Sequence, residues 1–177
     1  MATRTIANYF GTTDTALKQA MAESLVNPFH DVADNTFTSA SKQTIVAGTE
    51  YDFEANGQPY EAVNLPAHIT ALWDYDSNKV VVSELVDTPL VACRVQFNFV
   101  PDSAAAGYVE VKAYTDGQLF QTVRIAYKAS DSRMEALVVF YAGSTDPYNI
   151  KENGVTFTYT ASGNGKVYDR GILIYKT

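Results

Sequence analysis

The stretch Asp74-Tyr75-Asp76-Ser77-Asn78 sets side-chain oxygens at alternate positions, the spacing with which a calcium-binding loop begins. The pattern then breaks. Lys79 occupies the sixth position, where the tight turn needs glycine, and Leu85 the twelfth, where a bidentate carboxylate belongs. The stretch therefore reads as a hairpin turn, and no metal is expected. His30 and His68 lack the HxH or HxxxH spacing that would bring two imidazoles to one ion. Ser162 to Lys166, SGNGK, has a glycine and a lysine but neither the earlier glycine nor the following helix of a phosphate-cradling loop. No GxSxG and no Cys-His signature supplies an activated nucleophile. Glu84, Glu110 and Glu135 are the carboxylates that separate strands could pair for glycoside hydrolysis, and each reads as an ordinary solvent-face residue. Cys93, the single cysteine, falls in a strand's apolar row and reads as a small core hydrophobe. The chain is expected to be no enzyme and to need no cofactor.

Charge narrows the partners. The 177 residues carry a formal net charge of −7, and the 13 Lys and Arg are dispersed, which argues against nucleic acid or an anionic membrane. There is no transmembrane-length apolar run and no signal-type core in MATRTIANYFGTTDTALKQ, so a soluble protein made in a cytoplasm is the expectation. Twelve Tyr and nine Phe against one Trp suit polar, aromatic contact surfaces as well as ordinary strands. A chain of this length is most simply one domain, able to bury roughly 70% of the surface its unfolded form exposes.

Two unequal parts emerge. Residues 13–26 carry Leu17, Met21 and Leu25 at intervals of four behind Thr13 or Asp14 as N-cap, and Asn27-Pro28 ends the pattern. This short amphipathic helix, with Tyr9 and Phe10 before it and a polar stretch after it, predicts an N-terminal arm over residues 1–40 that lies against a partner. From residue 41 onward strand patterns recur between marked turns, among them Asn56-Gly57, Asp116-Gly117, Asn153-Gly154 and Ser162 to Gly165. Eight to ten such short strands predict an all-β fold, an antiparallel sandwich of jelly-roll type.

The strands differ in what they face. Val91 to Pro101 alternates: Val91, Cys93, Val95, Phe97 and Phe99 lie on one side, with Ala92, Arg94, Gln96 and Asn98 toward solvent. Ala136 to Ala142 and Gly171 to Tyr175 are apolar on both parities. One parity meets the core, and the other needs a helix, an arm or a second subunit. The pattern does not decide which parity does which. Tyr141 and Tyr175 suit a partly wet subunit boundary better than isoleucine or phenylalanine, so Leu137, Val139, Tyr141, Leu173 and Tyr175 are the expected interface.

Ala161-Ser162-Gly163-Asn164-Gly165-Lys166-Val167-Tyr168, followed by Gly171-Ile172-Leu173-Ile174, resembles the last turn and closing strands of the trimeric jelly rolls of the tumour necrosis factor and complement globular-head type. A longer stretch is similar to small structural proteins of tailed bacteriophage virions. It runs from Leu72-Trp73-Asp74 and Asn78 to Val82 through Asp87-Thr88-Pro89, Phe97 to Pro101 and Gly107 to Val111 to Asn153-Gly154-Val155. These resemblances imply a homotrimer, placed on the virion as a capsid decoration or cement protein. Its arm, with Tyr9, Phe10, Leu17, Met21 and Leu25, would bind the major capsid protein. The alternative they leave open is a fibre-tip or knob module that binds glycans or a receptor through exposed tyrosines and loop carboxylates.

Overall fold

The computed structural model describes residues 15–86, 90–128, 130–143 and 146–177. After helix α1 (Thr15–Val26) come the strands β1 (Phe29–Asp34), β2 (Gln43–Ile45), β3 (Glu50–Asp52), β4 (Glu61–Asn64), β5 (Trp73–Asp74) and β6 (Lys79–Val80). The long strands follow: β7 (Leu90–Pro101), β8 (Gly107–Thr115), β9 (Gln118–Tyr127) and β10 (Ser132–Tyr141). A single helical turn, α2 (Ile150–Asn153), precedes β11 (Val155–Ala161) and β12 (Gly165–Lys176). The strands form two sheets. The first runs β10-β7-β12-β1-β4, with β2 also on β12; the second runs β5-β6-β11-β8-β9, with β3 also on β11. Every pairing is antiparallel.

Chain order decides the topology. β8 and β9 are joined in one sheet by Asp116 and Gly117, both left-handed at φ 47 and 74, the geometry of a two-residue hairpin turn. The steps from β6 to β7, β7 to β8, β9 to β10, β10 to β11 and β11 to β12 all cross between sheets. That nesting defines a jelly roll, and the fold is the all-β antiparallel sandwich that the strand pattern predicts.

The core is what the alternation in β7 points to. Val91, Cys93, Val95, Phe97 and Phe99 are fully buried. Phe97 packs at 5.2 Å from Tyr159 of β11, and Phe99 at 4.7 Å from Tyr127 of β9, so the two sheets interlock through aromatic pairs. Trp73 donates its indole N–H to Ala55 O at 3.0 Å, which keeps the one tryptophan satisfied in the interior.

The first forty residues divide differently from the sequence expectation. Phe29–Asp34, placed there in the arm, is a strand inside the first sheet, paired with β12 on one side and β4 on the other. Its inward side chains are His30, Val32 and Asp34, two of them polar, so an apolar-alternation test passes over it. Asp34 is matched by Arg170. A bulge in β12, with Asp169 left-handed at φ 49, separates the registers before Tyr168 and after Gly171. Arg170 stands opposite Asp34 in the β1–β12 ladder, donates from Nε to Asp34 Oδ2 at 2.8 Å, and both side chains are 1% exposed. His30 is satisfied too. Its Nδ1 accepts from the Leu72 N–H at 3.3 Å, so Nε2 carries the proton and donates to Glu61 at 2.7 Å, and the Tyr75 hydroxyl donates to the same carboxylate oxygen.

Candidate functional site: the outer face of the first sheet

Residues directly opposite each other in a sheet share a face, so the register assigns the parity that sequence left open. Ala136, Val138 and Phe140 of β10 and Ile172 and Ile174 of β12 point inward and are buried. Leu137, Val139 and Tyr141 point outward and are 51%, 38% and 40% exposed; Leu173 and Tyr175 are on the same outer face and half-buried.

Three rows of this face are laid out by the pairings. One row reads Leu137, Arg94, Leu173, Asp31 and Ala62 across β10, β7, β12, β1 and β4. The next, toward one end of the sandwich, reads Val139, Ala92, Tyr175, Phe29 and Asn64. Beyond it Tyr141 stands opposite Leu90, which is 45% exposed. In the other direction the face turns polar. Glu135 faces Gln96, and Arg133 donates from Nη2 to Gln96 Oε1 and pairs with Glu135 at 3.2 Å. The apolar end is open, whereas the polar end is internally paired.

Next to the open end, Asn27, Phe29, Asp31, Tyr60, Leu173 and Tyr175 line a groove of about 420 Å³. Burial here raises the carboxyl pKa of Asp31 above the ordinary value, against the opposing pull of Arg94 and His30. Arg94 is therefore a member of the face. The sequence expectation set it on a solvent side separate from the apolar parity; across the ladder it lies between Leu137 and Leu173. Phe29 and Tyr60 escaped the sequence analysis as well. The signal for the first was the other parity of FHDVAD, where Phe29, Asp31 and Ala33 alternate with the buried set.

The outer face of the second sheet is of the opposite kind. Glu50 accepts from Lys112, from the Tyr114 hydroxyl at 2.8 Å and from Thr158 at 2.9 Å. Partial burial would raise its carboxyl pKa, and these hydrogen bonds outweigh it and hold the value below the ordinary carboxylate range. Arg124 pairs with Glu110 and lies over the Tyr108 ring at 4.2 Å. These charged groups are paired, and the face also carries the exposed Leu119, opposite Tyr114.

The chemical candidates do not converge. Glu110 is on the outer face of the second sheet and Glu135 on that of the first, while Glu84 caps Thr70 through its N–H and hydroxyl. His30 binds Glu61 and His68 binds Glu23. Cys93 is buried, and desolvation pushes its thiol pKa up, away from reactivity. Asp74 accepts from the Asp76 N–H at 3.0 Å and from Ser77 at 2.6 Å within the β5–β6 hairpin, so its oxygens cap their own turn. Among the described residues no group of three or more His, Cys, Asp and Glu side chains is placed to hold a metal, and no helix is long and apolar enough to cross a membrane. Tyr9, Phe10, Thr13 and Asp14 lie outside the described residues. Of the helical stripe, Leu17 and Leu25 are 48% and 71% exposed and Met21 is half-buried.

No family model matches the chain, and no curated protein does. Among solved structures, the PRD1 vertex protein P5 is similar over 85% of this chain and 73% of its own, at 11% identity and a TM-score of 0.46. Eiger TNF from S. frugiperda covers 85% of this chain and 93% of its own at 7% identity and a TM-score of 0.46. Murine APRIL covers 85% and 99% at 9% identity and 0.43. The strand order itself makes the chain an antiparallel jelly roll.

Proposed function

We propose that the protein is a non-enzymatic structural subunit that forms a homotrimer through the outer face of its first sheet and decorates a virion capsid. The observation that carries the assembly is the open apolar end of that face, where Leu137, Val139, Tyr141 and Leu90 are each at least a third exposed beside Tyr175 and Phe29. A contiguous patch of this kind, beside a second sheet whose outer face is an ion-pair and threonine surface, is what a subunit boundary needs and what a free monomer avoids. Arg94 at its margin fits the same role, since arginine is enriched at interface cores and can pair with Asp31 of its own or a neighbouring chain. The virion setting rests on the resemblance of residues 72–155 to tailed-phage structural proteins. In this reading the chain before Phe29 is the arm, and it contacts the major capsid protein.

Light scattering at micromolar concentration tests the assembly: the expected mass is three times the 19.4 kDa of the chain, and a clean 19.4 kDa species overturns it. Co-sedimentation with expanded empty capsids tests the role. Binding to shells with silence on a glycan array is the expected pair of results, and the reverse pair would establish the receptor-binding alternative.

A further inference from the structure

Helix α1 is attached in an unusual way. Of its twelve residues, Glu23 is the one that is buried, at 1% exposure, while its apolar residues stay partly or largely exposed. The carboxylate of Glu23 gathers three donors from three separate segments of the sandwich. They are His68 Nε2 at 2.9 Å, the Val86 N–H at 2.7 Å and Lys176 Nζ at 2.6 Å. Beside this contact a cleft of about 350 Å³, lined by Ala20, Glu23, Ser24, Asn27, Lys176 and Thr177, runs between helix and sandwich. A docked helix normally lays an apolar stripe on its support. Here the fully buried side chain is a carboxylate, while apolar residues such as Met21 and Ala22 are half-buried.

The chain also changes character at a definite point. Asn27 is left-handed at φ 53, and directly after it Pro28 O accepts from the Lys176 N–H at 3.1 Å, which begins the β1–β12 ladder. On the helical side of Asn27 a further polar tie runs from Asn64 Nδ2 to Val26 O at 2.7 Å. We propose that Glu23 is a latch: it holds α1 on the sandwich through one desolvated charge cluster, and α1 detaches about Asn27 as a unit when that cluster is broken, while the jelly roll stays folded. A latch of this type is directional. Burying a carboxylate is favourable only while its donors are in place, so the helix is either fully seated or released, with little gained by partial contact. Presentation of the released helix to a capsid lattice rests on the function proposed above; the latch itself does not.

Hydrogen exchange of the full chain, followed by mass spectrometry, tests it without any capsid. In the wild type, peptides within 16–26 are expected to be protected. In Glu23→Gln, which keeps the shape and removes the charge, their exchange is expected to rise at least roughly a hundredfold, with peptides from β7 and β12 unchanged. If Glu23→Gln does not give folded protein, Lys176→Met removes one donor and is judged on the same peptides. Unprotected α1 in the wild type overturns the latch. So does a folded variant whose α1 is as protected as the wild type's, and so does equal loosening of α1 and β12. Failure of the wild type to co-sediment with capsids, with the exchange result intact, would sink the virion reading alone.

Discussion

Replacing Val139 by aspartate tests the proposed subunit boundary at the point where the structure gives the least ambiguous outcome. Val139 is on the outer parity of β10, 38% exposed, and its row continues through Ala92, Tyr175 and Phe29 with no cation in it. Arg94, which could rescue an introduced carboxylate, stands one row away opposite Leu137. Fully burying a valine side chain is worth about 1.5 kcal/mol or more, so covering the exposed part contributes about 0.6 kcal/mol per copy, roughly 2 kcal/mol over a trimer. Desolvating three carboxylates without partners costs several kcal/mol each. The sum is on the order of 10 kcal/mol against assembly, and about 1.4 kcal/mol already changes association tenfold. The folded monomer is hardly touched: an outward strand residue loses at most about 1 kcal/mol of strand preference. The expected result in light scattering is a chain of 19.4 kDa, or soluble aggregates, from Val139→Asp, with near-native circular dichroism. Thr122→Asp, on the outer face of the second sheet opposite Lys112, is expected to keep the wild-type mass. A Val139→Asp protein that assembles like the wild type refutes the assignment of this face.

Further outcomes follow from the interior and the N-terminal segment. Arg170→Met leaves the Asp34 carboxylate buried and uncompensated, at a cost of about 3 to 5 kcal/mol; at roughly 2 to 4 °C per kcal/mol for a chain of this size, thermal melting is expected roughly 6 to 20 °C lower. The double variant Arg170→Met with Asp34→Asn is expected to recover part of this, and a single variant that melts like the wild type contradicts the ion pair's role. Deletion of residues 1–26 is expected to leave a folded sandwich by circular dichroism, whereas deletion of residues 1–38 removes β1, detaches β4 and orphans Arg170, and is expected to give unfolded or aggregated protein. At alkaline pH the phenol of Tyr159, chiefly through burial, and that of Tyr168, chiefly through its hydrogen bond to Asp131, are pushed up to about 12. Their neutral forms favour the folded state, so this stability is fully present below about pH 10, the unfolded value, and is lost as pH rises toward 12. The urea midpoint is expected to be level up to about pH 10 and to fall above it; a midpoint that stays level to pH 12 contradicts this.

Where side-chain pattern and burial coincide, the sequence was sufficient. The period-two rows of β7, β8 and β11 name their own inward residues, and Asp116-Gly117 names its turn, because a buried face favours apolar side chains and a tight two-residue hairpin favours residues that adopt positive φ. The two-sided strands β10 and β12 raised the expectation of cover on both faces. Which parity faced inward was decided by the ladder that sets Val138 against Cys93 and Ile172 against Val95, a pairing between residues far apart in the chain. The same holds for β1. His30 and Asp34 look like loop residues in isolation and become strand interior only because Leu72, Glu61 and Arg170 supply their partners. Arg94 was legible as polar but not as a neighbour of Leu137 and Leu173, and Glu23 was legible as an ordinary helical carboxylate but not as the point where α1 is held. Local propensity and alternation are properties of a stretch of chain; the satisfaction of a buried polar group is a property of whichever distant segments the fold brings to it, and only tertiary structure contains that.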